Sequence, residues 1–205
     1  MQVEKSHQAL SAMVLAGGQS SRMGRDKALI APQGIPLLKQ VYEIAVKCAS
    51  PVYVVTPWPE RYQDILPNSC RFIREMPLPD ETEPHGPLVG LAQGLAQVQT
   101  EWVLVLACDL PRLQVEVLQS WIGLLGNVKE DAIALLPRDA KGWQPLCGFY
   151  RHSCLPALTG FINQGGRSFQ RWLSQHPVQE VPVSDRQMLF NCNTPTDLEQ
   201  VKGET

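Results

Sequence analysis

No two of the six cysteines form a C-x-x-C pair, and the four histidines are equally scattered, so the spacing that holds a structural zinc is missing. Cys48, Cys70, Cys108, Cys147, Cys154 and Cys192 therefore read as small core residues of a reduced compartment. No stretch approaches the roughly 18 apolar residues of a membrane span. The N-terminus has a short apolar run but no secretory h-region with a small-residue cleavage site. A net charge of only −2 at pH 7 removes the basic footprint that a nucleic-acid backbone requires. Repeats, low-complexity tracts and convincing linkers are also missing. The expectation is a cytoplasmic protein with no nucleic-acid and no membrane partner. Any anionic ligand must then be met by a local patch of cations.

What is there is an ordinary globular composition, 44% hydrophobic and 19% charged, in 205 residues, which suits one domain over residues 1–205. Ala12 to Ala16 is a continuous apolar run, as in a strand buried on both faces. Val52 to Thr56, Cys70 to Arg74 and Trp102 to Ala107 read as further strands. Between them, Leu37, Leu38, Val41, Ala45 and Cys48 share one helical face, as do Leu88, Leu91, Ala92, Leu95 and Val98. Leu118, Trp121, Ile122 and Leu125 mark a helix behind the Trp102 strand. This alternation predicts an α/β fold with a mainly parallel sheet covered by helices on both faces, a three-layer α/β/α domain.

The later chain is less regular. Ala132 to Leu136 and Leu146 to Tyr150 read as strands joined through a polar connection containing Gly142. Helical patches follow around Leu155 to Ile162 and Phe169 to Leu173, then a strand from Glu180 to Val183. A last helix starts after Asn193, with Thr194 as its cap, Pro195 in the first turn and Asp197 three positions beyond the cap.

Ligands of open α/β sheets sit outside the carboxyl ends of the strands. Three such edges offer chemistry: residues 17–27, the loop after Thr56, and Cys108-Asp109. The first holds glycines, hydroxyls and cations, but it is not a Walker A loop, because Gly24 is followed by Arg25 and Asp26 before Lys27. Nor does it carry G-x-G-x-x-G. Gly17 and Gly18 still permit unusual φ angles and close backbone approach, so successive N–H groups can form an anion nest. Arg22 and Lys27 can neutralise phosphate oxygens there. Asp109 follows an apolar strand, where an unpaired carboxylate is costly; Mg²⁺ with substrate phosphates would resolve that cost, as would capping of the next turn.

The run from Leu15 to Lys27, L-A-G-G-Q-S-S-R-M-G-R-D-K, resembles the L-A-G-G-x-S-x-R-M-G-x-D-K loop of the nucleotidyltransferase superfamily. Its double glycine resembles the molybdenum cofactor guanylyltransferases, of MobA type, within it. H-G-P-L-V-G-L from His85, A-C-D-L-P from Ala107, Q-P-L-C-G-F-Y from Gln144 and N-C-N-T-P-T-D-L from Asn191 resemble the family's later motifs in order. The resemblance implies a single Rossmann-like, GT-A-like nucleotidyltransferase domain. It further implies transfer of GMP from GTP to the terminal phosphate of molybdopterin, with release of pyrophosphate. Alternatives are a cytidylyltransferase or sugar-phosphate nucleotidyltransferase of the same fold, or a noncatalytic nucleotide-binding protein.

Carried onto this chain, the resemblance places nucleotide at Leu15, Ala16, Gly17, Gly18, Lys27 and Asp109. It makes Arg22, Lys27 and Asp109 catalytic, with Mg²⁺ on Asp109. An acidic residue upstream of Gly86 would serve the nucleotide, either Asp80, by spacing from Gly86, or Glu75, counting from the third strand. Arg167, Asn191 and Asn193 match the acceptor side, while Thr56 departs from the asparagine of many relatives. Of the tryptophans, Trp143 alone stands beside a motif in a way that suggests ligand contact. Implied partners are GTP and molybdopterin, with transient contacts to other cofactor-biosynthesis proteins or molybdoenzymes.

Overall fold

A computed structural model describes residues 10–18, 26–78, 86–183 and 185–202 of the protein. Apolar runs too short and too β-branched for helices become strands: β1 (Leu10–Leu15), β2 (Val52–Thr56), β3 (Arg71–Arg74) and β4 (Trp102–Ala107). They pair in parallel in the order β3-β2-β1-β4. Every residue of β4 is buried, and alternate side chains feed two separate cores. Leu104 and Leu106 join α1 (Leu37–Cys48) and α3 (Val115–Ile122) on one face. Val103 and Val105 join α2 (Pro87–Leu95), α4 (Leu155–Asn163) and α5 (Phe169–Leu173) on the other. The period of two along the strand thus builds the three layers expected from the sequence. Each fully buried leucine, such as Leu38 or Leu91, contributes roughly 1.5–3 kcal/mol of transfer free energy.

The polar connection around Gly142 does more than join two strands. After β5 (Ala134–Leu136) it folds into a two-stranded hairpin, β6 (Arg138–Asp139) and β7 (Gly142–Trp143), before β8 (Cys147–Arg151). So short a connection has no room for a helical crossover, and β8 runs antiparallel, wedged between β4 and β5. The full sheet is β3-β2-β1-β4-β8-β5-β9. Its last strand, β9 (Val178–Glu180), starts two residues and ends three residues before the expected Glu180 to Val183. The reason is local: Val181 N–H closes the ladder on the Leu136 carbonyl, and Pro182 has no N–H to extend it. The last helix, α6 (Pro195–Lys202), starts where its cap predicts.

Candidate active site

The carboxyl ends of β1, β3 and β4 open on one cleft of about 300 Å³. Asp109 enters it just beyond β4. Lys27 enters from a single 3₁₀ turn, Lys27–Leu29, and its Nζ lies 3.5 Å from Asp109 Oδ2. Burial raises the Asp109 carboxyl above its ordinary range, and the Lys27 ammonium works against that rise. The lysine also donates to Asn193 Oδ1. Asn193 is itself fixed by the start of α6. Asp197 Oδ2 accepts from the N–H groups of Asn193 (2.8 Å) and Thr194 (2.7 Å), and Thr194 Oγ1 accepts from Asp197 N–H at 3.1 Å. This reciprocal box is the capping role read for Thr194 in the sequence. Alongside it, Cys192 N–H donates to the Asp109 carbonyl at 2.9 Å, stitching this segment to the end of β4.

The opposite wall carries Glu75, the first residue after β3. Its side chain is 6% exposed, and among the described residues no hydrogen bond or ion pair reaches its carboxylate. Desolvation pushes its pKa up to about 7. The carboxylate lies against bare backbone: a Cβ on Gly17 would stand 2.6 Å from Glu75 Oε2, and one on Gly90 would stand 3.1 Å away. Gly17 is therefore required for space. The expectation of unusual φ angles at Gly17 and Gly18 is corrected, since the positive-φ glycines described are Gly34, Gly86, Gly142 and Gly165. Gly86, at φ +87°, turns the chain into the first residue of α2 and brings Pro87 and Gly90 to the cleft.

The structure gathers Leu15, Ala16, Gly17, Gly18, Lys27, Asp109, Asn191 and Asn193 on this cleft. Arg167 is not among the cleft-lining residues. Its Nη1 donates to the carbonyls of Ile162 and Gly166, both at 2.8 Å, and so closes the C-terminal end of α4. Trp143 also lies away from the cleft lining, packed on the second core beneath the Arg138 guanidinium at 5.1 Å. Arg22 and Asp80 fall outside the described residues.

For a divalent cation the described residues offer no cluster of three His, Cys, Asp or Glu side chains. They offer Asp109, a half-buried hard-oxygen donor countered by one lysine. That suits a magnesium ion shared with substrate phosphates, which commonly takes one or two carboxylates. Asp26 also faces the cleft, but its oxygens are committed elsewhere. Oδ1 accepts from Ala28 N–H (3.1 Å) and Oδ2 from the Tyr62 hydroxyl (2.9 Å).

Residues 12–181 match the model of the MobA-like NTP transferase domain. The chain belongs to the MobA-like NTP transferase family. It is 60% identical over 195 residues, 95% of this chain and 91% of the relative, to a protein of Nostoc sp. described as a probable molybdenum cofactor guanylyltransferase. It is 32% identical over 190 residues, 92% of each chain, to the molybdenum cofactor guanylyltransferase of Vibrio campbellii. The crystal structure of molybdopterin-guanine dinucleotide biosynthesis protein A from Archaeoglobus fulgidus has the same fold. Its TM-score is 0.78 at 24% identity, with 94% of this chain and 97% of that one covered. The family makes the chain a nucleotidyltransferase, as the loop from Leu15 to Lys27 implies.

Within this family frame, sequence reasoning missed Asp26 and Tyr62. The first had a signal, since an aspartate two residues before the Ala28 N–H is a local cap. The second had none, because a buried tyrosine in a proline-rich loop reads as packing. The structure puts Glu75 on the cleft, as does the rule that located Asp109, a carboxylate at the carboxyl end of a strand; Asp80 lies outside the described residues.

Proposed function

We propose that this chain transfers GMP from GTP to the terminal phosphate of molybdopterin, releasing pyrophosphate and forming the guanine dinucleotide cofactor. The observation that carries the reading is one cleft with two chemically distinct walls: Lys27 and Asp109 on one side, and on the other a buried Glu75 whose carboxylate has no hydrogen-bond or ion partner among the described residues. Guanine presents its N1–H and exocyclic amine side by side, two donors for the two oxygens of one carboxylate. Cytosine presents an amine beside a ring-nitrogen acceptor, which a carboxylate repels. Glu75 therefore favours GTP over CTP.

The acceptor phosphate, with a second pKa near 6, is largely ionised at neutral pH and is its own nucleophile. An oxygen of that phosphate attacks the α-phosphorus of GTP; the bond to the bridging oxygen breaks, and pyrophosphate leaves with the electron pair. Backbone N–H groups at Gly17 and Gly18, Lys27 and, from the sequence motif, Arg22 hold the triphosphate and neutralise its charge. Asp109 would hold Mg²⁺ together with phosphate oxygens, and the ion would add charge neutralisation there. Asn191 and Asn193 in the cleft lining, with Arg167 by resemblance, serve the acceptor. The chain acts in the cytoplasm as one nucleotidyltransferase domain, in transient contact with proteins that supply or take the cofactor.

Calorimetry with GTP, CTP, ATP and UTP, each with and without Mg²⁺, tests the base. Pyrophosphate release on adding purified molybdopterin tests the transfer. Equal affinity for CTP and GTP would overturn the base reading, and binding without acceptor-dependent pyrophosphate release would leave a noncatalytic nucleotide-binding protein.

A further inference from the structure

Lys27 is held by more than its own turn. Asp26 precedes it, and one carboxylate brackets it: Oδ1 accepts from Ala28 N–H at 3.1 Å, while Oδ2 accepts from the Tyr62 hydroxyl at 2.9 Å. Tyr62 is 1% exposed, in the turn that follows the 3₁₀ residues Pro59–Arg61 between β2 and β3. Arg61 Nη1 lies 3.6 Å from the same Asp26 Oδ2, and its guanidinium rests 4.2 Å above the Trp58 ring. At the other end of the glycine loop, Thr56 Oγ1 donates to the Ala16 carbonyl at 2.9 Å and accepts from Trp58 N–H at 3.2 Å. Residues 16 and 26 are thus both moored to the end of β2 and the segment just after it. The fully buried Thr56 anchors one end, and Tyr62 the other.

We propose that Tyr62 is a positioning residue for the triphosphate: through Asp26 it sets where Lys27 stands, while Thr56 ties residue 16 to the same end of β2. A buried phenol needs a partner for its hydroxyl. Here the partner belongs to the residue next to the cleft lysine rather than to a nearby backbone carbonyl. Removing the hydroxyl leaves the ring packing in place and frees Asp26 Oδ2 to follow Arg61 toward solvent. Lys27 then samples positions away from the phosphates, so the loss falls on binding of the triphosphate more than on turnover of the bound complex.

The proposal rests on the reading that Lys27 meets the triphosphate, so the experiment uses two ligands, MgGTP and inorganic tripolyphosphate with Mg²⁺. In Tyr62→Phe the KM for GTP is expected to rise about 5–10-fold with kcat within about twofold of wild type, and tripolyphosphate affinity to fall by a similar factor. In a Lys27→Met background the same substitution is expected to add nothing, because its effect passes through the lysine. Asp26→Asn, which keeps an oxygen to cap Ala28 but loses the carboxylate that Tyr62 bonds, is expected to give the same split. It serves as the second variant should Tyr62→Phe not fold. A lower Tm with unchanged KM, kcat and tripolyphosphate affinity would overturn the proposal, as would an undiminished Tyr62→Phe effect in the Lys27→Met background. Wild-type protein that binds tripolyphosphate but not GTP would refute the guanine reading and leave Tyr62 tested by tripolyphosphate. Failure of wild type to bind either ligand would overturn both.

Discussion

Lys27 Nζ and Asp109 Oδ2 stand 3.5 Å apart although 82 positions separate them in the chain. Both side chains are largely buried, and the Lys27 ammonium opposes the desolvation that raises the Asp109 carboxyl. Under the proposed function, a triphosphate entering between them would meet the cation, and the carboxylate would be left to hold Mg²⁺.

Asp109→Ala should lower Mg²⁺-dependent pyrophosphate release by about 10²–10³-fold, the scale for removing one preorganised charge contact from a closed site. Stability should change little, because the substitution also removes the desolvation that raises the carboxyl's pKa. A pyrophosphate assay run beside a thermal melt checks both halves. Turnover near wild type would remove Asp109 from the mechanism.

Under the proposed function, Glu75 should make GTP binding sensitive to acid. Its pKa is raised to about 7 by burial, and guanine's two donors require the ionised form. GTP affinity should hold above pH 7 and fall about tenfold per unit below it, measured by calorimetry between pH 5.5 and 8.5. Stability runs the other way. Because the folded pKa lies above the unfolded value, the folded state keeps a proton that the unfolded chain releases, and stability declines as pH climbs from about 4.5 to 7. Glu75→Gln should therefore bind GTP weakly at every pH yet be more stable than wild type at pH 8, by about 1–3 kcal/mol.

Gly17→Ala sets a methyl group 2.6 Å from Glu75 Oε2, closer than any real contact, so the carboxylate must swing away. GTP affinity should drop at least tenfold, and affinity for tripolyphosphate should drop less, since the base wall is disturbed first. Parallel titrations with the two ligands distinguish this from general loosening of the loop, which would weaken both equally.

Asp197→Ala removes the carboxylate that accepts from Asn193 and Thr194, a loss of about 0.5–2 kcal/mol for a helix cap. Asn193 then loses its bearing on Lys27, and the KM for GTP should rise a few-fold. Asp197→Glu, which restores the charge, should recover part of both. Chemical denaturation and steady-state kinetics on the three proteins check the pattern.

The parallel half of the sheet was legible because its strands are short apolar runs separated by strongly periodic helices; Val52–Thr56 and Trp102–Ala107 have the ends expected of them. The hairpin Arg138–Trp143 was not, since two-residue strands carry no periodicity and are defined only by pairing with each other. At the site, Lys27, Asp109 and the backbone from Leu15 to Gly18 were readable from motif and strand-end position. The motif could not show that Arg167 lies outside the cleft lining, with its guanidinium on the carbonyls of Ile162 and Gly166. Tyr62 was invisible for the same reason: what distinguishes it from a packing residue is which carboxylate its hydroxyl meets.

The bond from Cys192 to the Asp109 carbonyl has a consequence for the order in which the enzyme matures. The four parallel strands leave the ribosome well before the segment around Asn193, and they can collapse on their own helices as they emerge. Until that later segment docks, the lysine has no asparagine to lean on and the end of β4 stays unfastened. The cleft lining is therefore complete only once residues 191–193 reach the end of β4, after the scaffold.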